Sequence, residues 1–116
     1  RPHLAVGHAP RLIAISSFVA HMVRNDMAPF PATAAGKAAV EALVRTLSIE
    51  WAPDVTVNAV APGYTQKDPG AHAAMTQEQR DAITARIPLR RLGTPADVAH
   101  AVAWLASPGA GYVTGQ

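Results

Sequence analysis

An α/β fold built on a parallel sheet is what this sequence predicts. Three observations carry it. Two short, nearly all-apolar runs rich in branched side chains lie at 11–17 and 55–61; a stretch of helical period lies between them at 34–51; and only a few residues return the chain from that helix to the second run. Strand, helix and strand in that order form a βαβ unit over 11–61, with parallel strands and a right-handed crossover.

Each element has its own local reason. Pro10 bounds the first run before it and the polar Ser16 and Ser17 after it, as suits a strand buried on both faces. From Phe18 to Pro31 the period dissolves among His21, Arg24, Asn25, Asp26, Pro29 and Pro31. A connection this long is usually functional or mobile. Val40, Leu43, Val44 and Leu47 then fall at i, i+3, i+4 and i+7 on one helical stripe, with Glu41 and Arg45 as an i,i+4 pair on its polar flank, and Pro53 stops the helix. The second strand closes on the Pro62-Gly63 turn. Thr76 and Gln79 fit a capping box that starts a helix reaching about Ile87 and ended by Pro88. Thr94, Pro95 and Asp97 are N-cap, first helical residue and first-turn acid of a last helix, one side of which is lined by Val98, Val102 and Leu105. The tail 109–116 reads as a turn feeding a further strand. Trp51 and Trp104, at or near helix C-termini, read as packing residues.

Composition narrows the function. With 116 residues, 49% hydrophobic and 16% charged, the chain is one globular domain's worth of sequence and not a disordered segment. Ten basic against eight acidic residues leave +2, too small a surplus to imply nucleic acid. There is no cysteine, hence no disulfide framework, thiolate metal site or cysteine nucleophile, and a reducing cytoplasm is allowed. No apolar run approaches the roughly 20 residues of a membrane span, so a cytoplasmic protein without membrane partners is expected. His3, His8, His21, His72 and His100 lack metal-ligand spacing, and no metal site is expected.

The chemistry should sit at one rim of the sheet. Ligands of open parallel sheets bind beyond the carboxyl ends of the strands, where Ser16 and Ser17 end one strand and Pro62-Gly63 ends the other. A crossover helix begins at that same rim, which brings Thr33, Gly36 and Lys37 beside the strand ends. Lys37, read as lying in the first helical turn, opposes the helix dipole. Either its charge serves a ligand or neighbouring hydroxyl or it is a solvated surface lysine. Serines after a buried strand can equally do no more than satisfy turn backbone.

Four stretches in this order resemble the C-terminal half of the short-chain dehydrogenase/reductase family: RLIAISS at 11–17, GKAAVEAL at 36–43, VTVNAVAPG at 55–63, and IPLRRLGTPADV at 87–98 continuing through AWLASP at 103–108 to YVTG at 112–115. The resemblance covers roughly 11–116. It implies a Rossmann-like, doubly wound parallel sheet of which this chain carries the C-terminal part, and an NAD(P)-dependent oxidoreductase moving hydride between a nicotinamide and a small-molecule alcohol or carbonyl. By the same resemblance the catalytic positions are Ser17, which orients the substrate oxygen, Lys37, which holds the nicotinamide ribose, and Thr33, where the family has its tyrosine acid. Pro62, Gly63 and Thr65 join Lys37 in contacting the cofactor, NAD or NADP. Residues 63–87 become a substrate lid, 94–116 the last helix and the start of the final strand, and helix 34–51 a contact for a homodimer or homotetramer.

Departures from the pattern matter as much. Thr33 is a far weaker acid than a phenol, whose unperturbed pKa is about 10, and too short to cover a tyrosine's reach. Tyr64 is the one phenol near the same rim. No G-x-G-x-x-G phosphate cradle occurs in the sequence. The alternative reading is therefore a catalytically impaired binding or oligomerisation module. Two strands and the start of a third also leave apolar faces short of cover, so the sequence reads as part of a longer protein, unstable alone.

Overall fold

The computed structural model describes residues 7–23, 25, 29–67 and 75–116. Within them β1 (Arg11–Ile15) and β2 (Thr56–Val60) pair in parallel, from Arg11 against Thr56 to Ile15 against Val60. The parallel sheet that the strand, helix, strand order predicts is thus present. The crossover is α1 (Pro31–Glu50), and α2 (Gln77–Thr84) and α3 (Pro95–Ala106) follow, with short 3-10 turns at Phe18–Ala20 and Pro108–Ala110. Of the expected functional loop 18–31, Arg24 and 26–28 lie outside the described residues, as do His3, His72 and positions 68–74 of the expected lid.

Strand alternation assigns the two faces. On one, Val44 of α1 joins Val55 and Val57 in a buried cluster, against which Leu12, Ala14, Leu47, Trp51 and Ala59 pack. On the other, the Arg11 guanidinium donates to Thr56 Oγ1 at 3.0 Å and to the Ala106 carbonyl at 3.2 Å, a cation placed at the negative end of α3. Cover is incomplete: Ile15, Leu43 and Ile49 are 45%, 58% and 80% exposed. Trp104, expected to pack, is about half exposed.

Two boundaries differ from the sequence expectation. α1 starts at Pro31 rather than at 34, because a proline with φ fixed near the helical value and no N–H to lose suits the first helical position. Lys37 therefore lies beyond the first turn, where the dipole has faded, and its charge does not oppose the helix dipole as expected. α2 ends at Thr84 rather than near Ile87. Pro88 disfavours helical geometry at the residue before it, and the chain tightens, with Arg86 N–H donating to Ile83 O and Ile87 N–H to Thr84 O. Both capping boxes, Thr76 with Gln79 and Thr94 with Asp97, are formed.

The C-terminal tail lies along the outer edge of β2. Gly115 N–H donates to Val57 O and Ala59 N–H to Gln116 O, each at 2.7 Å. Asn58, 1% exposed, ties it down by donating from Nδ2 to Val113 O at 2.8 Å and accepting Gln116 N–H at 3.1 Å. Gly115 is required there: its φ is +76°, and a Cβ would come within 2.8 Å of the Ser48 hydroxyl. Asn58→Ala leaves the Val113 carbonyl and the Gln116 N–H without their partner and should cost about 2 kcal/mol. Gly115→Ala should cost about 1–2 kcal/mol through the strained backbone. Urea midpoints of the two variants measure both, and a Gly115→Ala midpoint equal to the parent's would contradict the tail's placement.

Candidate active site

The end of β1 is held from two sides. Toward β2 the ladder runs past the strand: Ser16 N–H donates to Val60 O at 2.8 Å and Phe18 N–H to Pro62 O at 3.1 Å. Toward α1 two side chains one helical turn apart reach it. Lys37 Nζ donates to the Ile15 carbonyl at 2.8 Å, and Glu41 Oε1 accepts the Ser16 hydroxyl proton at 2.5 Å. Lys37 and the serines thus share one rim of the sheet.

Ser17 follows at once in extended backbone, φ −159° and ψ 150°, and heads the Phe18–Ala20 turn without its side chain capping it. Its hydroxyl takes no hydrogen bond within that turn. Thr33, on the same flank one turn before Lys37, is exposed, as is Gly36. Across the rim, the space above Gly63 is open, since a Cβ built there would meet no atom within 4 Å. Thr65 Oγ1 donates to Gly63 O at 3.2 Å, and its segment is pinned to Gly93 by Gly93 N–H to Tyr64 O at 2.9 Å and Gln66 N–H to Gly93 O at 2.8 Å. The rings of Phe18 and Tyr64 meet at 5.0 Å with a tilt of 47°, joining the two strand ends.

Glu41 is the functional neighbour that local reading missed. Its pairing with Arg45 is only a 4.0 Å contact, while Ser16 is its close partner and His21 Nδ1 stands 3.5 Å from the same Oε1. The Ser16 hydrogen bond holds the Glu41 carboxyl below the ordinary carboxylate value against the opposing effect of partial burial, with smaller help from His21 and Arg45. The signal was available as the i,i+4 spacing of Lys37 and Glu41, which places both on one face. At the far side, Asp97 is held well below the usual range first by Arg91, which meets it at 2.6 and 3.0 Å, then by the Thr94 N–H and hydroxyl.

Beside the rim a cleft of about 1020 Å³ opens between the strand ends and the helices α2 and α3. Pro62, Gly63 and Thr65 line it, whereas Ser17, Thr33 and Lys37 do not. Lys37 keeps two ammonium protons beyond the one given to Ile15, a donor set suited to a vicinal diol such as a ribose, and with the open space at Gly63 this fits the nicotinamide end of a dinucleotide. Among the described residues no helix is long and apolar enough to cross a membrane.

Comparison with known proteins follows the same lines. A family model described as enoyl-(acyl carrier protein) reductase matches residues 1–116. A 3-oxoacyl-[acyl-carrier-protein] reductase of Rickettsia conorii is 43% identical over 107 residues, covering 91% of this chain and 42% of the relative. Among solved structures, a Thermus thermophilus protein superposes with a TM-score of 0.85 at 34% identity, covering 99% of this chain and 48% of its own. A putative NAD(P)-dependent gluconate 5-dehydrogenase of Beutenbergia cavernae, with bound NADP, does so with a TM-score of 0.81 at 39% identity, covering 93% and 43%. The chain therefore spans less than half the length of the relatives it matches.

The clamp makes a checkable claim about acid. Because the folded Glu41 carboxyl titrates below its unfolded value, its stabilisation is complete above the ordinary carboxylate range and is lost as pH falls through the depressed value. Ser16→Ala should therefore cost about 1.5 kcal/mol at pH 7 and much less at pH 3. Denaturation midpoints at the two pH values decide it, and an equal loss at both would dissociate Ser16 from the Glu41 charge.

Proposed function

The chain belongs to the short-chain dehydrogenase/reductase family, and from that premise we propose that the protein is an NAD(P)-dependent oxidoreductase acting on a hydroxyl or carbonyl group. The observation that carries the reading is the convergence of Lys37 and the serine-bearing end of β1 at one rim, through the 2.8 Å bond from Lys37 Nζ to Ile15 O, opposite the open backbone at Gly63. When bound, the nicotinamide supplies or accepts the hydride. The chain's own residues do the rest. Lys37 donates to the ribose hydroxyls, Pro62, Gly63 and Thr65 face the nicotinamide, and Ser17 directs its hydroxyl at the substrate oxygen. The described parts of the expected lid, 63–67 and 75–87, stand over the substrate. The exposed flank of α1, with Leu43 and Ile49 bare, supplies the contact for a homodimer or homotetramer. A cytoplasmic location fits this chemistry.

Proton transfer is where the reading divides. A threonine stands at position 33, exposed, one turn before Lys37, and an aliphatic hydroxyl gives up its proton far less readily than a phenol. This favours a second reading, in which nucleotide binding persists and turnover is slow. Titration of the full-length form of the protein with NADH and NADPH, followed by nicotinamide fluorescence, should show binding that Lys37→Met weakens about tenfold, the loss of one charge-assisted contact. Thr33→Tyr should raise carbonyl reduction by about 10²- to 10⁴-fold, the usual worth of a positioned general acid. Absence of binding by either nucleotide removes the oxidoreductase reading. Fast turnover in the parent with no gain from Thr33→Tyr removes the impaired one.

A further inference from the structure

We infer that the substrate presents an apolar body, aliphatic or aromatic, to the cleft beside the rim, and not a polyhydroxylated one. The inference rests on the oxidoreductase reading and names the substrate class for the same site. The cleft's volume of about 1020 Å³ is at the upper end for small-molecule sites, so its lining decides what it takes. Phe18 and Met22 follow β1, Tyr64 follows β2, Ile83 and Ile87 come from α2 and the turn after it, and Val98 from α3. At the mouth, Phe30 and Leu89 are 52% and 77% exposed, extending the same surface outward.

Each polar side chain of the wall already has a partner within the fold. Thr65 donates its hydroxyl proton to Gly63 O. The Gln79 carbonyl oxygen accepts the Thr76 N–H as half of a capping box. Asp97 takes the Thr94 N–H and hydroxyl and both arms of Arg91. Tyr64 and Arg86, which also line the cleft, are each engaged in an interaction of their own. A polyol entering here would trade water for a mostly apolar wall whose polar groups already have partners within the fold, and hydroxyls left unpaired are penalised in such a site. An alkyl or aryl chain would instead cover Phe18, Met22, Ile83 and Ile87 and meet no polar group needing a partner.

Position selects the occupant. Phe18 is the residue after Ser17, Gly63 lines the cleft, and the Phe18 and Tyr64 rings bridge the two strand ends at 5.0 Å. A molecule whose apolar body rests on those rings has its polar end at the rim, where the serine and lysine stand.

The test reads binding directly and needs neither cofactor nor turnover. The protein, labelled at methionine and isoleucine methyls, is titrated with 2-hexanone, 2-octanone and 2-decanone, and separately with D-gluconate and D-glucose. The Met22, Ile83 and Ile87 resonances should shift saturably with the ketones, with affinity rising about three- to fourfold per added methylene, and stay in place with both polyols. Ile83→Ser should weaken 2-decanone binding at least tenfold. Should that variant not fold, the chain-length series in the parent still decides. Shifts induced by gluconate or glucose, or affinity that does not change along the ketone series, would overturn the inference. Ketone binding in a protein that binds neither NADH nor NADPH would instead overturn the oxidoreductase reading and leave the apolar cleft standing.

Discussion

Two side chains one turn apart on a single helix, Lys37 and Glu41, grip consecutive residues at the end of β1, and the arrangement of the rim depends on that grip. A strand end is ordinarily where pairing frays and turn geometry takes over. Here the Ile15 carbonyl and the Ser16 hydroxyl are held on the α1 side, while the Ser16 and Phe18 N–H groups are held by the carbonyls of Val60 and of Pro62, just past β2. Ser17 lies between fixed points on both sides and reaches the rim in extended backbone. Preorganisation of this kind is what a hydroxyl needs if it is to meet a substrate oxygen without reordering first.

The same grip has an electrostatic side. Glu41 accepts from a serine that is 3% exposed, and a carboxylate so placed is stable only while it keeps its donors. Lys37 in turn spends one of its three protons on backbone, which fixes the direction of the other two. A lysine anchored in this way acts less as a mobile point charge and more as an oriented donor, and the usual imprecision of lysine as a ligand is reduced.

How much of this the sequence displayed depended on whether each feature was local. The Pro95 start, the Thr94 cap and the Thr76 to Gln79 capping box are set within a few residues and were legible; so was the helical stripe of Val40, Val44 and Leu47, although Leu43, expected on it, is 58% exposed. The start of α1 was not, because 31–34 carries no apolar period and a proline can stand either outside a helix or at its first position. The Ser16 to Glu41 bond joins residues 25 apart and exists only once the crossover has brought α1 over β1, so a local reading gave Glu41 to Arg45. The cleft was less legible still, since its wall is drawn from four segments and none of them is apolar enough alone to announce a pocket. Serine, lysine and the Pro-Gly turn could be placed on one rim beforehand because βαβ geometry requires it.

Position 33 sets the last constraint. In an arrangement where a lysine eases a phenol's ionisation, cation and acid form one unit, and loss of the acid would leave the cation without a purpose. Lys37 is not left so, because it is also the group that fixes Ile15 and through it the end of β1. Replacing it would disturb the strand end even if no proton ever moved. On the oxidoreductase reading, then, the rim separates into a part that binds and orients, built from Lys37, Glu41 and the ladder to β2, and a part that transfers the proton, which depends on position 33. The first part is supported by contacts within the fold and so persists whichever residue supplies the acid.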